Sequence, residues 1–227
     1  MILGSQYRKS IGPRVAIFHG MNPCTCTATH ESRRVVLTGG PGAGKSAVLE
    51  LARLFFCAHV RRLPEAAGIV FGGHFPRNGR VDIRRAGQRA IYHVQVELES
   101  TTMVDNPAMV ICDRGTLDGS AYWTGSGTLW DAVGTTRDIE LARYHGVIHL
   151  RTPTAGAYNN DNPLRIETHD EARAIDALIA EAWAGHPRYV EVPASDDFLG
   201  KAAHALRLLR EFMPACCRGQ VRSLSTR

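Results

Sequence analysis

Residues 34–38, "RVVLT", form a short apolar and β-branched run, and eight residues follow it directly: Gly39-Gly40-Pro41-Gly42-Ala43-Gly44-Lys45-Ser46. Val48, Leu51, Ala52 and Phe55 then recur at helical spacing. A strand, a glycine turn and a helix in immediate succession leave the backbone little choice. The G-x-x-x-x-G-K-[ST] pattern in that setting turns successive backbone N–H groups inward around a phosphate, and the helix adds the positive end of its dipole. The expectation is that Gly39, Gly40, Pro41, Gly42, Ala43 and Gly44 cradle a nucleoside triphosphate. Lys45 should reach its β- and γ-phosphates, and the Ser46 hydroxyl should ligate Mg²⁺. A glycine-rich turn without a ligand is the bland alternative. The chain spends one of only three lysines here.

Four more short apolar runs, "AHVRRL" (58–63), "AMVIC" (108–112), "GVIHL" (146–150) and "RYVEV" (188–192), alternate with helical stripes. Residues 83–98 carry Ile83, Gly87, Ala90, Val94 and Leu98 on one face. A further stripe follows the capping box Thr168–Glu171 and holds Ile175, Leu178, Ile179 and Ala182. The last helix is expected from an N-cap at Ser195 through Phe198, Ala202, Leu206 and Leu209 to Met213. Runs of strand alternating with helix predict an α/β, three-layer fold: a five-stranded parallel sheet with helices on both faces.

The stretch "MVICDRGTLDGSAYW" delivers Asp113 to the carboxyl end of a strand. Ligands of open α/β sheets bind outside those ends, so Asp113 should face the same crevice as the glycine loop and hold Mg²⁺ with Ser46. Arg114 is a candidate phosphate contact. For Asp118, at the start of the next helix, a functional role and a simple N-terminal cap are both open.

Taken together, "LTGGPGAGKS", "LPEAA", "CDRGTLDGSAYW" and "YNNDNPLRIE" resemble, in this order, the NadR-type AAA/P-loop domain family, whose relatives include the ribosylnicotinamide kinase domain of NadR. The resemblance covers roughly residues 34–212. It implies a P-loop NTPase fold like that of nucleoside and nucleotide kinases, with a lid; the chain is too short for a ring-forming AAA+ ATPase with its helical domain. It also implies a role for Glu65, which ends the second strand where such kinases place the carboxylate that takes the proton of an attacking hydroxyl. The polar, Pro-punctuated stretch after the fourth strand is longer than an ordinary connection and reads as a lid. Within it Arg165 has the position of an arginine that closes over phosphates, Glu167 braces it or the next helix, and Tyr158 and Asn162 line the pocket or pack the loop. Arg151, at the strand end, is a second candidate for nucleotide contact.

Charge adds little to this picture. Of the net +5, residues 1–34 carry +4 and residues 214–227 carry +3, which leaves −2 for the body. That distribution does not make a basic face for nucleic acid. Arg77, Arg80, Arg84, Arg85 and Arg89 read as a solvated helix face, or as a hint of an acidic acceptor. Residues 1–31 and 214–227 show no periodicity and are expected to be disordered tails around one domain at 32–213, with nothing in 1–31 to bury. No stretch has the length or apolarity of a membrane span, so the protein is expected in the cytoplasm. Cys24, Cys26, Cys57, Cys112, Cys216 and Cys217 sit at no metal-like spacing and are expected as reduced thiols, Cys57 and Cys112 in the core.

The favoured expectation is a Mg-dependent kinase that moves the γ-phosphate of ATP to a hydroxyl of a nucleoside-like or other small acceptor. An ATPase or GTPase switch acting on a protein or membrane partner is the alternative, and a module with decayed catalysis the least favoured. No N-K-x-D base-reading sequence occurs, which favours ATP and leaves GTP open. No nicotinamide-specific element is recognisable, and Gly68 interrupts the polar continuation that often follows the family's glutamate. Neither the acceptor nor the oligomeric state is specified by these residues.

Overall fold

The computed structural model describes residues 24–154, 168–219 and 221. Five strands, β1 (Arg33–Thr38), β2 (Val60–Leu63), β3 (Met109–Asp113), β4 (Gly146–Leu150) and β5 (Tyr189–Val192), pair in the order β2-β3-β1-β4-β5. All four ladders are parallel. β3 and β4 are buried along their whole length, as a sheet covered on both faces requires.

Successive side chains of β1 go to opposite faces. Val35 and Leu37 pack with Val48, Leu49 and Ala52 of α1 (Lys45–Phe55) and with Ala202, Ala205, Leu206 and Leu209 of α7 (Phe198–Phe212). Val36 instead joins Val110, Cys112 and Val147 against Ile179 and Trp183 of α6 (His169–Trp183) and Leu98 of α3 (Val81–Met103). The three-layer expectation therefore holds strand by strand.

Differences from the sequence reading are local. The Thr168–Glu171 capping box opens α6 as expected, but its buried face is Ala172, Asp176, Ile179, Ala182 and Trp183, with Leu178 turned outward. At α7 the N-cap is Asp197, whose carboxylate accepts the Gly200 N–H at 2.9 Å, while Ser195 accepts the Asp197 N–H just upstream. α2 (Ala66–Gly72), α4 (Leu129–Val133) and α5 (Arg137–Ala142) are too short to show periodicity. After β3 the chain forms a 3₁₀ helix over Thr116–Tyr122, with Asp118 inside it.

Residues 1–23 and 222–227 lie outside the described residues, as do Tyr158, Asn162, Arg165 and Glu167. At both ends the packed chain runs past the limits expected for the domain. Residues 24–31 have no regular structure, yet Cys24 and Cys26 pack on the core and His30 is only 8% exposed. Cys217, in α8 (Ala215–Arg218), is fully buried. The buried groups there are thiols and an imidazole, which make no apolar stripe. Among the described residues no helix is long and apolar enough to cross a membrane.

One buried carboxylate ties three elements together. Glu99 of α3, fully buried, is met by Arg143 at 2.8 Å and Arg34 of β1 at 3.3 Å, and accepts hydrogen bonds from Tyr144 at 2.7 Å and Gln95 at 2.9 Å. Removing one partner of such a set leaves the opposite charges uncompensated, at a cost of about 3–5 kcal/mol. Glu99→Ala is therefore expected to lose about 3 kcal/mol or more in urea unfolding; a change below about 1 kcal/mol would show that water replaces the carboxylate.

Candidate functional site

The loop between β1 and α1 owes its shape to backbone that only glycine tolerates well. Gly39 has φ +139°, and a Cβ there would run into the carbonyl oxygen of Leu150 at the end of β4. Gly44, the left-handed N-cap of α1 with φ +93°, would bring a Cβ to 2.9 Å from the Phe198 ring. The turn thus closes against two neighbours and aims the start of α1 into a cleft, where a helix N-terminus favours an anion.

Two buried side chains hold the loop from behind. Asp176 of α6 accepts the Gly40 N–H at 2.8 Å and is braced by His149 at 2.8 Å and by Arg151 at 3.2 Å. Lys201 of α7 donates to the carbonyls of Ala43 at 3.1 Å and Arg151 at 2.6 Å. Burial pushes the Asp176 carboxyl up, but His149, Gly40 and Arg151 together hold it below its ordinary pKa.

At the mouth of the loop two cations face three carboxylates. Lys45, 8% exposed, donates from Nζ to the carbonyls of Gly39 at 2.8 Å and Gly40 at 3.1 Å. Burial, with the nearby Arg114 charge, lowers its pKa to about 8 against the pull of Asp113, Glu65 and Asp118. Arg114 adopts the left-handed region at φ +69° and bonds from Nε to Glu65 Oε1 at 2.6 Å. Its Nη1 reaches Asp118 Oδ1 and the Gly39 carbonyl, each at 3.2 Å. Burial pushes the Glu65 carboxyl up, but Arg114 and then Lys45 outweigh it and hold the group below its ordinary pKa. Asp118 is saturated, accepting also from the Thr38 hydroxyl, from Gly115 N–H at 3.1 Å and from Trp183 Nε1 at 3.0 Å.

Asp113 is the exception in this group. It is 7% exposed, and its Oδ1 is buried with no hydrogen-bond partner among the described residues. Burial, reinforced by Glu65 and Asp118, raises its pKa to about 6. A carboxylate oxygen left over in this way, with the hydroxyl of exposed Ser46 as a second oxygen donor, suits a hard divalent cation such as Mg²⁺. Both residues line the same cleft.

That cleft, about 770 Å³, has room for a nucleotide and a small second molecule. Pro41, Gly42, Lys45, Ser46, Asp113 and Arg114 form one side. Glu65, bonded to Arg114, lines the cleft too, as do Phe71, Arg77, Arg84, Tyr122 and Trp123. The Arg77 guanidinium lies 4.9 Å from the centre of the Phe71 ring. The basic run accordingly divides: Arg77 and Arg84 face the cleft, Arg80 pairs with Asp82 at 2.6 Å, and Arg85 holds the Thr124 carbonyl at 2.7 Å.

The structure brings together Lys45, Ser46, Glu65, Asp113 and Arg114, and sets Arg151 apart. Arg151 does not line the cleft; its guanidinium bridges Asp176 and Glu191, and through Asp176 it bears on the loop. Sequence reasoning passed over Asp176 and Lys201. Their signal was present, a charged residue on the apolar face of a helix, but nothing local says which turn of backbone it serves.

The family model described as an AAA domain matches residues 34–198. Among solved structures, the NadR protein crystallised in complex with NR aligns with a TM-score of 0.62 at 17% identity, covering 86% of this chain and 54% of that one. This chain therefore spans about half the length of that protein. Thymidylate kinase from Candida albicans aligns with a TM-score of 0.52 at 12% identity, covering 80% and 93%. No curated protein matches the chain by sequence. At such identities the likeness shows the fold alone, and that fold is the one of P-loop kinases.

Lys45 donates into a cradle and not to the core, so its loss is expected to spare the fold. Lys45→Ala should weaken nucleoside-triphosphate binding by roughly 10- to 100-fold in calorimetry, the range for one charge-assisted hydrogen-bonding group. Unchanged affinity in a folded variant would move the phosphate site elsewhere.

Proposed function

The chain belongs to the AAA-domain family, and from that premise we propose that it is a Mg-dependent small-molecule kinase that transfers the γ-phosphate of ATP to a hydroxyl of a nucleoside-like or other small acceptor. The observation that carries this reading is Glu65. A carboxylate fixed by Arg114, whose guanidinium also bonds the Gly39 carbonyl of the glycine loop, lines one cleft with Phe71, Arg77, Tyr122 and Trp123.

In this reading Lys45 exchanges its bonds to the Gly39 and Gly40 carbonyls for the β- and γ-phosphates, and the α1 N-terminus receives their charge. Asp113 and Ser46 hold Mg²⁺, which when bound neutralises charge that builds on the phosphates. Glu65, ionised at neutral pH because Arg114 keeps it so, accepts a hydrogen bond from the acceptor hydroxyl and orients its oxygen toward the γ-phosphorus. The new O–P bond forms as the bond to ADP breaks; the hydroxyl proton passes to Glu65 and from there to solvent. A weakly basic carboxylate suffices, since the transition state is loose and the proton leaves late. Arg77 and Arg84 on the acceptor wall favour an acceptor with electron-rich or anionic groups. Six cysteines with no disulfide among them fit a reducing compartment such as the cytoplasm.

Candidate hydroxyl compounds incubated with ATP and Mg²⁺, scored for acceptor-dependent ADP release, test the reaction itself. Glu65→Gln keeps the size and hydrogen bonding of the side chain and removes the base. Transfer should fall by roughly 10²- to 10⁴-fold while ATP affinity stays within about threefold. Basal hydrolysis that survives in Glu65→Gln, with no acceptor stimulating the wild type, would instead indicate a nucleotide switch. Asp113→Asn should shift the Mg²⁺ dependence of turnover to higher concentration and leave nucleotide binding in EDTA little altered; superimposable metal titrations would remove Asp113 from the metal site.

A further inference from the structure

Five of the six cysteines gather at one place, at the end of the sheet opposite the cleft. Cys24, Cys26 and His30 come from the segment before β1, Cys57 and His59 from the turn that leads into β2, and Cys216 and Cys217 from α8. The glycine loop leaves β1 at its carboxyl end, whereas His59 directly precedes the first residue of β2, and Ala108, just ahead of β3, donates to its carbonyl at 2.8 Å. The two sites are separated by the length of the strands.

The donors fall into two sets. Cys24, Cys57, His59 and Cys217 form one, Cys26, His30, Cys216 and Cys217 the other, and within each set the potential ligand atoms all lie within 4.8 Å of one another. Cys217 belongs to both. Its Sγ is 3.5 Å from His30 Nε2 and 3.6 Å from His59 Nδ1, Cys26 Sγ is 3.6 Å from His30 Nε2, and Cys216 Sγ is 3.5 Å from His30 Nδ1. Tetrahedral zinc, with bonds of about 2.3 Å to sulfur and about 2.0 Å to nitrogen, sets sulfur and nitrogen ligands about 3.6 Å apart. The Cys217–His30, Cys217–His59 and Cys26–His30 spacings already match; Cys216, which sits by the other nitrogen of His30, stays within 4.8 Å of the set and would need only a side-chain turn to join it.

We propose that this cluster is a binuclear zinc site, two Cys₃His centres joined by the thiolate of Cys217, that fastens both ends of the domain to the sheet. Mixed thiolate and imidazole donors in four-ligand sets are those of structural zinc. Five thiolates against two dications leave a net charge of −1, low enough for a site whose central sulfur is fully buried. The segments it joins have little else to hold them: residues 24–31 form no regular element, and α8 has four residues. The sequence hides the site because its ligands arrive as C-x-C-x₃-H, C-x-H and C-C from three distant places, and none of these is a zinc-ribbon spacing.

Metal content per chain decides the matter. Full-length protein purified under reducing conditions, dialysed against zinc-free buffer and measured by inductively coupled plasma mass spectrometry should hold two zinc ions per chain. Cys217→Ser should lose both, Cys26→Ser should keep one, and Cys112→Ser, altered in the core strand β3, should keep two. Should Cys217→Ser fail to fold, cobalt(II) titrated into reduced, zinc-stripped wild type gives the answer: two equivalents with the intense visible bands of tetrahedral thiolate-bound cobalt support the site. Saturation at one equivalent or none, or equal zinc in Cys217→Ser and wild type, would each overturn the proposal.

Discussion

The Arg114 guanidinium is bonded at once to Glu65, to Asp118 and to the carbonyl of Gly39, with its side chain 14% exposed. A cation so far withdrawn from water is tolerable only because its donors are matched by acceptors at fixed positions. That requirement locks three segments to one another: the end of β2, the start of the 3₁₀ helix and the first residue of the glycine loop. It also explains the left-handed backbone of Arg114, an unfavourable conformation for a residue with a Cβ that turns the side chain back across the strand ends. The guanidinium holds the Glu65 carboxyl below its ordinary pKa and takes up one oxygen of Asp118, while Asp113 beside it keeps an oxygen with no partner among the described residues.

The parallel sheet gives the molecule two unlike ends. All strands run the same way: the carboxyl ends of β1, β2 and β3 lead into residues that line the cleft, and the amino end of β2 adjoins the thiol cluster at the other end of the sheet. Polar atoms that the strands leave unpaired are met at one end by the glycine loop and its braces, and at the other by segments with almost no regular structure. Between them lies a largely apolar middle, with Val35, Val36, Leu37, Ile111 and Ile148 all 0% exposed.

Features written in contiguous residues are legible in the sequence alone. Gly39 to Ser46 announce a phosphate-type loop because strand, turn and helix are adjacent in the chain, and Asp113 follows because a strand has a direction. The sheet can be read from five apolar runs. Sites assembled across the chain cannot. Asp176 lies 136 residues from the amide it accepts, and Cys217 lies 187 from His30; no window holds both members of either pair. Arg151 shows the converse. A strand-end arginine suggests a phosphate ligand in sequence, and its ion pairs with Asp176 and Glu191 are visible only in the fold.

Lys45 donates to the same loop that it is expected to help fill. Any anion entering there has to take the ammonium from two carbonyls, so the loop acts as a weak competitor of its own ligand. A singly charged or small anion, such as chloride or bicarbonate, offers too little in exchange, whereas a chain of phosphates reaching from the helix start to the lysine offers several contacts together. Selectivity against the abundant small anions of a cell would then come from an internal contest decided by charge and reach, with no wall needed to exclude them.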